Sequence, residues 1–166
     1  LAQTELAAMQ AHLGEHGRGL LAWMIDEELK DGRRILFESE SAVAFIPVCA
    51  RYPYEVWIAP KRGVPTFAEL NLDEVRELAR ALKTVLGQYD GLWKKPFPYV
   101  MAWHQAPTDG KPHPEAHLHA ELYPPYRMEG RLKYLAGTEL GAGAFSADTL
   151  PEAKAAELRA VEVRLD

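Results

Sequence analysis

Residues 116–125 read AHLHAELYPP, and the middle of that run alternates between apolar and polar side chains. In an extended strand successive side chains point to opposite faces. Leu118, Ala120 and Leu122 therefore share one face, and His117, His119 and Glu121 share the other. The spacing predicts a strand whose apolar face packs on a core. Its polar face turns two imidazoles and a carboxylate towards a site or towards water. His104 ends another strand-like run, PYVMAWHQ, and antiparallel pairing of the two runs could set it beside His119.

That donor set supports two chemistries, and spacing alone does not choose between them. Neutral imidazoles with a carboxylate are the ligands that zinc and iron sites use. A histidine between two polar neighbours could instead attack phosphorus through a ring nitrogen while the neighbours orient it. A solvated strand face is the plain alternative. His113 and Glu115, in the loop APTDGKPHPE, read as solvated loop residues. His12 and His16 lie on an exposed first helix with no chemical role, and Cys49 reads as a small packed apolar side chain.

The rest of the chain supplies the elements around that strand. TELAAMQAHL and GLLAWMIDEELKDG read as helices, the second with Leu21, Met24, Ile25, Glu28 and Leu29 at helical spacing and Gly32 as its stop. RRILFES, AVAFIPV and VWIAPK are apolar, branched or aromatic runs bounded by turn residues, so they predict strands. NLDEVRELARALKTVLGQY is the clearest helix. Asn71 caps it with Glu74 three residues on, and Val75, Leu78, Ala79, Leu82, Val85, Leu86 and Tyr89 form its apolar face. RLKYLAG reads as extended and GTELGAGAFSAD as a Gly/Ala-rich loop. Thr149 opens a last helix with capping-box spacing and Pro151 in its first turn. Strand pairs interleaved with helices, without a regular βαβ alternation, predict an α+β fold with an antiparallel sheet.

Composition narrows the class. The 166 residues make one domain, 1–166, long enough to bury a core without disulfide staples. A net charge of −5 disfavours broad nucleic-acid binding, which needs a basic face. No apolar run is long enough for a membrane helix, and no secretory signal opens the chain. A single cysteine makes no internal disulfide, which points to the reducing cytoplasm.

The blocks PYVMAWHQAP, AHLHAELYPPYR and RLKYLAGTELGAGAF, at their mutual spacing, resemble the C-terminal half of the galactose-1-phosphate uridylyltransferase family, within the histidine triad (HIT) superfamily. VWIAPKRGVPTFAEL and LPEAKAAELRAV extend the resemblance over nearly the whole chain. It implies a HIT-like fold, an antiparallel sheet with helices packed on it, repeated in two similar halves. It also implies a ping-pong reaction, in which a histidine of a His-Pro-His motif in the N-terminal half takes UMP from UDP-glucose and passes it to galactose 1-phosphate. This sequence contains no His-Pro-His; the nearest match is His113-Pro114-Glu115, in a different place. With an opening LAQTELAAMQ that lacks an initiating methionine, the expectation is half an enzyme, inactive until its N-terminal half is present.

The resemblance also implies a structural zinc or iron bound by Glu5, His104, His119 and Glu121, with His117 adjacent as an extra ligand or an orienting partner. Glu121 stands where some relatives have histidine. Lys133, Tyr134, Ala136, Thr138 and Glu139 match a segment that, in the family's dimer, reaches the neighbouring subunit's sugar pocket. Thr138 there replaces an aromatic residue and Phe145 a glutamine, which bears on the hexose accepted. The competing expectation is a free-standing HIT-type nucleotidyl hydrolase or transferase with His119 as its nucleophile and His117 orienting it.

Overall fold

Four runs rich in branched and aromatic residues, together with the end of PYVMAWHQ, assemble into one sheet in a computed structural model that describes residues 2–165. Strands β1 (Ile35–Glu38), β2 (Ala42–Phe45), β3 (Val56–Pro60), β4 (Val100–His104) and β5 (His119–Tyr123) lie in the order β1-β2-β3-β5-β4. Every neighbouring pair is antiparallel. β2 and β3 are buried along their whole length, as expected for central strands of continuous apolar sequence.

Helices cover both faces. On one, α3 (Leu72–Leu92) packs with α5 (Pro151–Arg159) over Ala44, Ile46, Val56, Ile58, Ala120 and Leu122. On the other, α1 (Ala2–His16) and α2 (Leu20–Asp31) bring Met9, Leu21 and Ile25 onto Val43, Phe45, Trp57 and Ala59. Gly32 ends α2 in the left-handed conformation, its N–H donating to the Glu28 carbonyl. That backbone geometry is open to glycine without steric penalty.

α3 starts as the sequence predicts. The Asn71 side chain accepts from the Glu74 N–H, and the Glu74 carboxylate accepts from the Asn71 N–H. Its buried face, however, is Glu74, Leu78, Ala81, Val85, Gln88 and Tyr89. Val75 and Ala79 are exposed, and Leu82 and Leu86 are only half-buried. The face is turned because Glu74 is drawn inward by its cap and by Arg62, whose guanidinium meets both carboxylate oxygens at 2.7 and 2.8 Å. Apolar periodicity alone does not register such a partner.

The C-terminal third departs further from expectation. RLKYLAG contributes only β7 (Arg131–Leu132), paired with β6 (Tyr126–Met128) in a two-stranded ribbon. The Gly/Ala-rich stretch is not all loop. A short helix α4 (Gly137–Ala142) forms where the Glu139 carboxylate accepts the Ala136 N–H at 2.7 Å. Thr149 does not cap α5. Leu150 is the N-cap residue without a side-chain bond, Pro151 is the first helical residue, and Glu152 turns to Arg34 instead.

Candidate metal centre

Register places the site. β4 and β5 pair His104 with His119 directly, and β5 and β3 pair Glu121 with Trp57. Residues opposite one another in an antiparallel pair share a face. The two imidazoles, Glu121 and the Trp57 indole therefore crowd the sheet face under α1. Leu118, Ala120 and Leu122 go to the other side, and all three are fully buried.

Glu5, in the first turn of α1, closes the group from above. Its Oε2 lies 2.5 Å from His104 Nδ1 and its Oε1 2.9 Å from His119 Nε2. Glu121 faces the same two rings: Oε1 stands 3.7 Å from His119 Nε2 and Oε2 3.9 Å from His104 Nε2. Each of Glu5, His104, His119 and Glu121 offers one ligand atom, and these atoms lie within 4.8 Å of one another. The sequence expectation for the metal-binding four is thus brought together in space. It is the one such cluster found among the described residues.

The donor set fits a divalent ion. Ligand atoms about 2.0–2.1 Å from a tetrahedral ion stand roughly 3.3 Å apart, within the span of the distances here. His119 is oriented for the task, its Nδ1–H donating to the His117 carbonyl at 2.8 Å. That leaves Nε2 turned to the carboxylates. Burial pulls the His119 pKa down, but the carboxylates of Glu121 and Glu5 outweigh it and lift the value to about 9. Burial likewise works against the Glu5 carboxylate, while His104 and His119 bring it down to about 2. A proton on Nε2 therefore fills the place that a metal cation would take.

His117 lines the same cleft of 380 Å³ but does not join the group. Its Nε2–H donates to the Pro60 carbonyl at 2.8 Å. Burial lowers its pKa to about 4, so the ring is neutral. It helps orient a candidate ligand through its backbone carbonyl, not its side chain. His113 is partly exposed, but Glu115 is not the solvated residue expected. Glu115 is buried, and the His113 ring bridges Glu115 at 2.9 Å and Asp109 at 3.0 Å. Cys49 is exposed, against the packed role expected for it. His12 does make a hydrogen bond, its Nδ1–H donating to the Arg18 carbonyl at 2.9 Å, and its ring lies beside Trp23.

None of Lys133, Tyr134, Ala136, Thr138 and Glu139 belongs to the cluster. The Lys133 ammonium lies 3.0 Å from Glu139 Oε1 and donates to the carbonyls of Arg51 and Ser146 at 2.7 and 2.8 Å. Tyr134 is 81% exposed, and Ala136 and Thr138 are exposed beside it.

Sequence reasoning missed Arg51, Glu55 and Trp57. Glu55 is fully buried and accepts from the Trp57 indole N–H at 3.0 Å, and that indole lies against the His119 ring. The available signal was the charged pair in ARYPYE immediately before a buried strand, a place where charge needs a partner.

The sequence profile of the galactose-1-phosphate uridyl transferase C-terminal domain matches residues 5–165. The chain belongs to that family. It is 35% identical to a galactose-1-phosphate uridylyltransferase of Thermotoga maritima over 98% of its length, spanning 51% of that protein. It superposes on a solved uridylyltransferase with TM-score 0.87 and 39% identity, covering 96% of this chain and 50% of the other. A HIT-like protein from Bartonella henselae shares the fold at TM-score 0.54 and 16% identity, covering 83% of this chain and 95% of that one. The chain thus spans about half the length of the uridylyltransferases it matches. Among the described residues no helix is long and apolar enough to cross a membrane.

Proposed function

We propose that this chain is one HIT-like domain, residues 1–166, acting as the C-terminal half of a hexose-1-phosphate uridylyltransferase. In that reading an N-terminal half carries the nucleophilic histidine, and the two halves together move UMP from UDP-glucose to galactose 1-phosphate. Glu5, His104, His119 and Glu121 hold a structural zinc or iron. When bound, the ion ties α1 to the β4–β5 edge of the sheet. Lys133, Tyr134, Ala136, Thr138 and Glu139 belong to a segment that approaches the sugar pocket of a second subunit in a cytoplasmic homodimer. The Lys133–Glu139 pair braces that segment and leaves Tyr134, Ala136 and Thr138 facing outward.

The observation that carries this reading is the placement of Glu5. Its carboxylate sits 2.9 Å from His119 Nε2, where an attacked phosphorus would have to stand. Glu121 adds a second carboxylate on the same nitrogen, and like charge repels a phosphate. These carboxylates support reading His119 as a ligand rather than a nucleophile, which disfavours the free-standing enzyme.

Intact-mass spectrometry after incubation with UDP-glucose tests the assignment. The expected result is no uridylyl adduct on the chain alone, retention of one metal ion under native conditions, and UMP transfer once a nucleophile-bearing N-terminal half is added. An adduct on the isolated chain that His119→Ala abolishes would overturn it.

A further inference from the structure

The carboxylate of Glu121 is held from behind. The Arg51 guanidinium donates to Glu121 Oε2 at 2.8 Å; that oxygen is the one nearer His104, 3.9 Å from its Nε2, while Oε1 is the one nearer His119. Arg51 is itself fixed on several sides. The same nitrogen lies 3.2 Å from Glu55 Oε1 and 3.0 Å from the Tyr123 hydroxyl. The Arg51 backbone N–H donates to Glu55 Oε2 at 2.8 Å, and the guanidinium carbon lies 5.0 Å from the Tyr123 ring centre. Glu55 is almost wholly occupied by these bonds, since Oε2 also accepts from the Tyr52 N–H and Oε1 from the Trp57 indole. The order of support runs from Glu55 to Arg51 to Glu121.

A carboxylate oxygen that accepts a charged hydrogen bond from a guanidinium is a poorer metal donor than its free partner, which makes Oε1 the better ligand atom of Glu121. We propose that Arg51 is a positioning residue of the metal centre, tying down Glu121 Oε2 so that Glu121 meets a divalent cation through Oε1 alone. The consequence is a site suited to a small ion content with four or five ligands, of the zinc kind. Larger, oxygen-preferring ions such as manganese(II) fill six positions and draw on both oxygens of a carboxylate or on added waters. This inference rests on the metal reading of the site given above.

The test uses the chain as it stands and reads metal binding, not activity. Wild type, Arg51→Met and Arg51→Lys are stripped of metal, titrated with zinc against a competing chelator, then equilibrated with an equimolar mixture of zinc(II) and manganese(II) for elemental analysis. Zinc outcompetes manganese at most nitrogen–oxygen sites. The diagnostic is therefore the change on removing Arg51. Arg51→Met is expected to weaken zinc binding by about tenfold or more, the usual consequence of losing an outer partner of a ligand, and to raise the manganese share. Arg51→Lys keeps the charge but not the planar fork, so it should resemble Arg51→Met. A lysine variant that behaves as wild type would overturn positioning in favour of charge alone.

Zinc binding by wild type with no change in Arg51→Met would overturn the proposal and leave the metal reading standing. No ion bound by wild type would overturn the metal reading itself. Should Arg51→Met fail to fold, cobalt(II) in the wild-type chain decides. The intense visible bands of four- or five-coordinate cobalt support the proposal, and the weak spectrum of a six-coordinate ion overturns it.

Discussion

One strand serves two unlike faces of the same sheet. Beneath β5, Ala120 and Leu122 join Val85, Tyr89 and Leu158 in a dry core with no exposed apolar member of the strand. Above it, His119 and Glu121 are just as deeply buried, at 1% exposure each, yet they meet charge instead of hydrocarbon. The lower face holds by area removed from water, a term indifferent to metal and only weakly dependent on pH. The upper face holds by matching donors to acceptors, and its stability depends on what sits among them. Burial by itself therefore says little about what a residue contributes.

The largest expected effect breaks the lower face. Leu122→Ala should cost about 2–5 kcal/mol, as deletion of a buried leucine does, and chemical denaturation should return the same loss with and without a divalent ion. Three residues back along the strand, His119→Ala should behave in the opposite manner. Wild-type chain with ion at a hundred times its dissociation constant should gain about 2.7 kcal/mol over the chelated form, read as a higher melting temperature. The variant should gain nothing from the ion. A metal-dependent rise that survived in His119→Ala would erase the contrast between the faces.

A smaller effect sharpens the lower face. Residues 161–163 lie in a notch that α3 opens at Gly87 and Gly91. A Cβ on Gly87 would stand 2.8 Å from a Val163 methyl, and one on Gly91 would overlap Val161. Gly91→Ala should cost about 1–3 kcal/mol through overpacking despite its better helix propensity, checked by denaturant midpoint. Below that, Asn71→Ala should cost about 1 kcal/mol by removing the α3 cap.

The smallest effect concerns the loop beside the upper face. Glu115, and then Asp109, hold the His113 imidazolium, so its pKa lies above the ordinary 6.5. Because the folded value is raised, the bridge contributes in full below about pH 6.5 and is lost as pH rises through the folded value. Titration of the His113 ring resonances should show a midpoint above 6.5 that falls back towards it in Glu115→Gln.

Much of this architecture was legible in the sequence where local pattern and tertiary partner agree. The alternation through 118–122, the Asn71–Glu74 cap and the Gly32 stop each rest on residues close together in the chain, and each is found as read. What failed depends on partners far away. Glu74 rotated the face of α3 because of Arg62, and Glu152 left Thr149 without a capping box because of Arg34. Ribbon β6–β7 and helix α4 are too short to carry a period, and α4 depends on a single carboxylate at Glu139. In the site, the imidazoles and Glu121 announced themselves by spacing. Glu5 came from the family resemblance, and Arg51, Glu55 and Trp57 needed the β3–β5 register before they could be seen at all.

The ammonium of Lys133 donates to the backbone carbonyl of Arg51, while the side chain of Arg51 donates to Glu121. Residue 51 is thus a relay with two terminals, one at the four-donor cluster and one at segment 133–139. The four-donor cluster and the Lys133–Glu139 brace are joined through that one residue. The segment that displays Tyr134 to the outside is hydrogen-bonded to the residue that also holds a carboxylate of a cluster it never touches.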